Sequence, residues 1–275
     1  MHHESVERVP CGRLAAYITR LHGYRFEGFP AGVHVGMPSR SLTLVIGLDR
    51  PLEISGEGIG GRLRGSVLVG GLHDRPVGVH HDGAQHGIQL ALTPAGARAL
   101  LGCPARELAA RVLRLDEVVG RAADELLERT LAATSWPARL AVVEMVLATL
   151  LTDAGAARSE VGHAWDELDR ADGGVTVAEL ARRVGWSRRH LAEQFRSEFG
   201  YGPKTAARVM RFERSQHLIR QAPRRIAEAA AQCGYADQAH LTREWSALAG
   251  LPPRRWMAED SLANVQYGVA TFARA

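Results

Sequence analysis

Between residues 42 and 93 the chain alternates short apolar runs with glycine, proline and aspartate: LTLVIGL (42–48), GSVLVGGL (65–72) and GIQLALT (87–93). Aliphatic and β-branched runs of about four to eight residues bounded by such breakers predict strands, and their number predicts a compact β-sandwich or barrel. At Thr93 the period changes. Thr93 before Pro94 is a helix N-cap followed by proline in the first turn, so PAGARALLG reads as a short helix that ends at Gly102. From about Arg121 to Asp153 the chain is rich in Ala, Leu and Glu, with Leu140, Val143, Leu147 and Leu150 at helical spacing. That stripe serves either the core of its own domain or the seam of a homodimer through helix 136–153. A helix, or a linker and a helix, fills 155–170, and the run Ala171, Asp172, Gly173, Gly174 reads as the domain boundary.

Beyond that boundary the pattern is purely helical. Thr176 and Glu179 make a capping box, in which the threonine hydroxyl accepts from the third backbone N–H and the glutamate reaches back to the cap. Gly185 permits a turn, and Ser187 caps a second helix whose Leu191, Phe195 and Phe199 form one apolar stripe. This unit returns. GWSRRHLAEQFRSEFGYGP (185–203) and GYADQAHLTREWSALAGLPP (234–253) share Leu191/Leu241, Phe195/Trp245, Gly200/Gly250 and Pro203/Pro253, while Gly185 and Gly234 are one residue closer together. One helix–turn–helix is thus used twice, with a single insertion at the second turn. Asp237 is the expected cap of the second copy, and residues 204–221, without internal Gly or Pro, read as one continuous helix between the copies.

At about 100° per residue, the side of the first helix opposite its stripe carries Arg189, Glu193 and Arg196, flanked by Ser187, Arg188 and His190. Arginine can pair with guanine and glutamate with the cytosine amino group, so this face suits base reading. The second copy turns Ala239, His240, Arg243 and Ser246 outward, with Gln238 and Thr242 at the edges and Arg243 the one strong donor among them. Charge supports the assignment. Residues 175–260 hold 15 Lys plus Arg against 9 Asp plus Glu, whereas the first 174 residues are net acidic. Lys204, the single lysine, and Arg208 are expected at phosphates or in support of the connecting helix. Double-stranded DNA is therefore the expected partner.

Over residues 175–258 the chain resembles the AraC/XylS family of bacterial transcription regulators, in LARRVGWSRRHLAEQFRSEFGYGPK, in RFERS and in CGYADQAHLTREWSALAGLPPRRW. The resemblance implies two helix–turn–helix units joined by a helix. It also implies base contacts at Arg189, Glu193, Arg196, Gln238, Ala239, Thr242 and Arg243, a cupin-like N-terminal sensor domain, and RNA polymerase as a partner. The expected architecture is an α+β chain of two domains. Residues 1–155 form a β-rich effector or dimerisation domain with C-terminal helices and 156–174 a linker or helix. Residues 175–260 form the all-α DNA-binding domain and 261–275 a tail with no assignable element.

Histidines supply the candidate chemistry of the N-terminal half. His34, His73, His80 and His86 are the candidate effector-binding residues, the alternative being ordinary surface or satisfied core histidines; adjacent His80 and His81 point to opposite faces of a strand. Their spacing does not match a metal-binding cupin pattern, so neither a metal nor another cofactor is expected. Cys11, Cys103 and Cys233 are too dispersed for a disulfide framework or a metal knuckle. No nucleophile elbow or phosphate loop occurs, and GEGIGG (56–61) reads as a hairpin, so no catalytic role is expected. With neither a signal pattern nor an apolar run of membrane-spanning length, a cytoplasmic location is expected. The rival readings are a metal-dependent cupin-like enzyme carrying a DNA-binding appendage, and an effector-free regulator controlled by a protein partner.

Overall fold

The computed structural model describes residues 2–57, 59, 61–152, 159–223 and 225–259; the tail 261–275 and the start of the expected connector lie outside them. The first ninety residues form nine strands: β1 (His2–Arg8), β2 (Ile18–Glu27), β3 (Gly32–Gly36), β4 (Leu42–Gly47), β5 (Leu52–Gly56), β6 (Arg62–Gly65), β7 (Val67–Gly70), β8 (Val77–His81) and β9 (Gln85–Leu92). After helices α1 (Pro94–Leu101) and α2 (Ala105–Leu108), strand β10 (Val112–Arg114) returns to the sheet edge. Two antiparallel sheets result, in the orders β1-β2-β9-β4-β7-β10 and β3-β8-β5-β6. The glycine cluster after β5 leads into its antiparallel partner β6, as a hairpin requires.

The larger sheet is covered on both faces. Leu42, Leu44 and Ile46 of β4, Val67 and Val69 of β7, and Ile88, Leu90 and Leu92 of β9 point to one side and are buried under helices. Thr43, Val45, Leu68, Gln85 and Gln89 point to the other, toward the smaller sheet. Thr93 caps α1 by accepting from the Gly96 N–H at 3.1 Å, and Gly102 ends it, as the sequence predicts.

Helices α3 (Asp116–Val119), α4 (Arg121–Ala132) and α5 (Trp136–Leu150) follow. The stretch expected as one long helix is two, because Ser135 caps α5, accepting from the Ala138 N–H, and Pro137 occupies its first turn. Leu140, Val143 and Leu147 of α5 are buried in their own domain. Trp136 lies so close to β2 that a Cβ on Gly23 would sit 2.3 Å from its ring. The proposed dimer stripe is therefore consumed within the domain through Leu140, Val143 and Leu147, with Leu150 half-buried; what α5 turns outward beyond its first turn is Ala141, Met145, Ala148 and Thr149.

The helical body comprises α6 (Ser159–Arg170), α7 (Val177–Arg183), α8 (Arg188–Phe199), α9 (Pro203–Gln221), α10 (Ile226–Gln232), α11 (Gln238–Ala249) and α12 (Pro253–Glu259). No helix among the described residues is long and apolar enough to cross a membrane. Helix α6, expected in the connector, belongs to this body. Val161, Ala164 and Leu168 are buried, and Trp165 packs on Phe195, Phe199 and Tyr201 with ring centroids 5.8, 4.5 and 6.5 Å apart. The run 171–174, expected as the boundary, is an internal corner. Asp172 binds Arg40 and Arg214, and Gly173 adopts φ +75° against the backbone of α9.

The two halves share one apolar core. It runs from the helix-facing side of the larger sheet through α1, α2 and α5 to Leu191, Phe195 and Phe199 of α8 and Ala206 and Met210 of α9. A second cluster holds α9 to α10, α11 and α12 through Phe212, Trp245 and Trp256, and Met37 of the β domain enters it. Arg40, just beyond Met37, reaches across the seam. Its guanidinium binds Glu213 at 2.5 Å, Asp169 at 2.8 Å and Asp172 at 2.9 Å. Burial works against the Arg40 charge, but Glu213 and Asp169 outweigh it and hold the guanidinium pKa above its ordinary value.

Gly173→Ala tests the corner: a Cβ would stand 2.3 Å from the Ala207 carbonyl oxygen in a left-handed backbone. The expected loss is at least about 1 to 3 kcal/mol, read as a lower denaturation midpoint.

Candidate nucleic-acid interface and ligand cavity

Each helix–turn–helix is set by a cap and a glycine. Thr176 starts α7, accepting from the Glu179 N–H at 3.2 Å. The reciprocal half of the capping box is not used, because the Glu179 carboxylate turns instead to Arg183 one turn ahead. Gly185 and Gly234 turn the chain at φ +72° and +71°, a conformation that costs glycine little. Ser187 then caps α8 through the His190 N–H at 3.1 Å, and Asp237 caps α11 through the His240 N–H at 2.6 Å.

From Leu191 and from Leu241 the two reading helices show the same residue-by-residue sequence of buried, half-buried and exposed positions through Gly200 and Gly250. Leu191, Phe195 and Phe199 correspond to Leu241, Trp245 and Ala249. Even the turns match. Trp186 stands edge-on to His190 at 4.7 Å, and Tyr235 to His240 at 5.2 Å. The aromatic lies four residues before its histidine in the first unit and five in the second, so the insertion falls between Tyr235 and Asp237.

The outward faces differ. Arg188, Arg189, His190, Glu193 and Arg196 are exposed on α8, with Arg189 donating to Glu193 at 2.9 Å one turn on. That hydrogen bond, with the glutamate charge, raises the Arg189 pKa. On α11, Gln238, Ala239 and Arg243 are exposed, whereas Thr242 is half-buried and spends its hydroxyl on the Gln238 carbonyl at 2.9 Å. His240 is half-buried too, its ring accepting from the Ala236 N–H at 3.3 Å. Lys204 is exposed at the start of α9. Arg208 is not presented in the same way: its Nε donates to Glu244 at 2.7 Å, tying α9 to α11. Of the two roles open to it, structural support is the one its geometry serves.

The back of α8 is clamped to the β domain. Arg98 of α1 makes a two-pronged bond to the Glu198 carboxylate at 2.7 and 2.6 Å, and Arg106 donates to the Ser197 carbonyl at 2.7 Å. The Glu198 hydrogen bonds outweigh desolvation and raise the Arg98 pKa. These contacts leave Arg188, Arg189, His190, Glu193 and Arg196 exposed.

Between the two sheets lies a cavity of about 100 Å³. Val45, Leu52, Ile54, Leu68, Val77 and Val79 make its apolar walls, and Tyr24, His34, Thr43, His73, Gln85 and Gln89 its polar points. His34 and His73 are thus brought together. His80 and His86 are not. Its position in β8 turns His80 to the opposite face from Val79, where it bonds Ser55 at 2.7 Å. His86 lies on the helix side of the larger sheet, bonded to Asp49 at 2.8 Å and Arg139 at 3.2 Å. Burial pushes the His73 imidazole below its ordinary range, more than its bond to the Arg75 carbonyl raises it, and pushes the Tyr24 phenol up. Gln85 and Gln89 are not among the expected effector-binding residues, although two glutamines four apart in an apolar strand share one face. That spacing is the signal that finds them.

A family model described as a helix-turn-helix domain matches residues 180–259. A curated relative, an uncharacterized HTH-type transcriptional regulator YbfI of Bacillus subtilis (strain 168), is 34% identical over 67 residues, which is 24% of each chain. The match therefore spans about a quarter of that relative's length. Among solved structures, ToxT from Vibrio cholerae O395 superposes with a TM-score of 0.51 over 87% of this chain and 96% of its own, at 10% identity. An unsaturated fatty acid bound form of ToxT from Vibrio cholerae gives a TM-score of 0.53 over 88% and 95%, at 9% identity. At such identity the likeness is one of fold, and it extends over both halves of the chain.

Arg208→Met should lower stability by about 1 to 2 kcal/mol, because the charged hydrogen bond to half-buried Glu244 is lost. Chemical denaturation of Arg208→Met, Glu244→Gln and the double variant reads the coupling, and strictly additive losses would remove the assigned tie.

Proposed function

With residues 180–259 a helix-turn-helix domain of the AraC/XylS type, we propose that the protein is a sequence-specific transcription regulator that reads two stretches of one DNA face and is controlled from its β domain. The observation that carries this reading is the repeated burial pattern of α8 and α11: buried stripes in register, polar faces open, in the positively charged part of the chain. Joined by one 19-residue helix, about 28 Å long at 1.5 Å per residue, the two units suit successive major grooves about 34 Å apart.

Arg188, Arg189, His190, Glu193 and Arg196 form the primary reader, with Ser187 at its entrance. Gln238, Ala239 and Arg243, flanked by His240 and Thr242, form a leaner second one. In the free protein Arg189 and Glu193 neutralise each other, so binding exchanges that exposed pair for base edges. An exposed pair of this kind holds little free energy, and the exchange is inexpensive. Lys204 serves a phosphate.

Control from the β domain rests on the cavity and on what lies behind it. Its floor is the inner face of the larger sheet, whose other face packs on the α1 layer that clamps α8 through Arg98 and Arg106. A ligand that favours one spacing of the two sheets therefore biases the seat of the primary reader. ToxT, of the same fold, has a structure with an unsaturated fatty acid bound, which supports control of this chain by a small molecule.

Selection of random duplexes on the full chain, followed by footprinting, is expected to return two protected segments about one helical turn apart. Enrichment of no sequence would sink the reading. On the selected site, Arg189→Ala should cost about 1 to 3 kcal/mol while sparing random DNA. Lys204→Ala should weaken both equally and reduce the slope of log K against log salt by about one.

A further inference from the structure

We propose that the cavity between the two sheets binds a compact, uncharged ligand of about six non-hydrogen atoms, mostly apolar and carrying one hydrogen-bond acceptor, seated against the amide of Gln85. This rests on the reading of the β domain as a sensor and specifies what it senses.

Size comes first. A cavity of about 150 Å³ holds benzene, so one of about 100 Å³ holds a five-membered ring with a short substituent. Charge comes next. Among the described residues lining the cavity there is no Asp, Glu, Lys or Arg. Of the three groups there that could ionise, Tyr24, His34 and His73, burial holds two neutral at pH 7, His73 by a lowered pKa and Tyr24 by a raised one. Charged side chains begin in the adjoining recesses: one shares Leu52 and Gln85 with the cavity and holds Arg50 and Arg62 paired with Asp82 and Glu53, one shares Thr43 and Gln89 and holds Arg40 on its carboxylates, and one shares His73, Val77 and Val112. In the last of these Arg75 faces Glu57 at 3.3 Å, and the Arg111 guanidinium donates to the Glu107 carbonyl. A carboxylate placed between the sheets would lose its hydration with no lysine or arginine in the cavity wall in return.

Polarity supplies the last term. Gln85 is 8% exposed, its side chain lines the cavity, and its Nε2 has no hydrogen-bond partner. A buried donor left open in this way is uncommon and costly. A carbonyl or ether oxygen in the cavity satisfies it, while the valines and leucines opposite cover the rest of the ligand.

The test uses the full chain and three probes of six non-hydrogen atoms each, with affinities read by ligand-observed NMR titration: cyclopentanone, methylenecyclopentane and cyclopropanecarboxylate. The ketone is expected to bind about tenfold or more tighter than either of the others, and Gln85→Met to abolish its advantage over the hydrocarbon. The ranking of the three is read on the unaltered chain, so it stands whatever the variant's stability. Binding of the carboxylate as tightly as the ketone would overturn the ligand class and leave the sensor reading intact, as would a hydrocarbon that matches the ketone. No binding by any of the three would overturn the cavity as a sensing site altogether.

Discussion

Leu42, Leu44, Ile46, Ile88, Leu90 and Leu92 give one face of the larger sheet an unbroken apolar surface, and that surface has to be covered. The smaller sheet lies on the opposite face, so helices must do it. Helices α1, α2 and α5 are the cover, and the apolar groups they turn away from the sheet continue into α8 and α9. The DNA-reading body is therefore built onto the same core as the β domain rather than hung from a free linker. Such a core is close-packed and transmits displacement, which is the physical ground for placing control of α8 in the sandwich.

Apolar burial alone does not fix how two bodies are oriented. The seam carries directional bonds for that purpose. Arg40 engages three carboxylates from α6, the corner after it and α9, and Arg98 grips Glu198 with both prongs of its guanidinium. Half-buried ion pairs of this sort contribute modestly to net stability, because desolvation offsets much of the attraction. Their planar geometry nevertheless admits one arrangement, and removing either partner leaves a charge poorly solvated. They act on orientation more than on adhesion.

Duplication has conserved the inside of the reading unit and released its outside. Caps, turn glycines, edge-on aromatic–histidine pairs and buried stripes recur, since each is needed to set one helix against another. The outward residues do not recur, because nothing in the fold constrains them. Arg189, Glu193 and Arg196 on one copy correspond to Ala239, Arg243 and Ser246 on the other, so the two units cannot present the same pattern to DNA. Arg208 shows the limit of reading by charge: an arginine in a basic domain, it spends its guanidinium on Glu244.

Much of this was legible along the chain because it is local. A cap acts within four residues, a helical stripe repeats every three or four, and a turn glycine acts where it stands; hence α1, the two helix–turn–helix units, the continuous α9 and strands β4, β7 and β9 follow from sequence. Beyond local range the letters were ambiguous. The stripe Leu140, Val143, Leu147 suited a dimer seam as well as a core, and only the proximity of β2 decided for the core. Residues 171–174 had the composition of a linker, yet Arg40, more than a hundred residues earlier, pins them into the helical body. Four histidines had equal claims to one site, and strand phase together with sheet pairing admitted His34 and His73 while sending His80 and His86 to other faces. The sequence by itself determined the reading units, since their geometry is written in contacts a few residues apart. Only the tertiary structure decided what the β domain can hold, because Tyr24, His34, His73 and Gln85 meet solely through the pairing of distant strands.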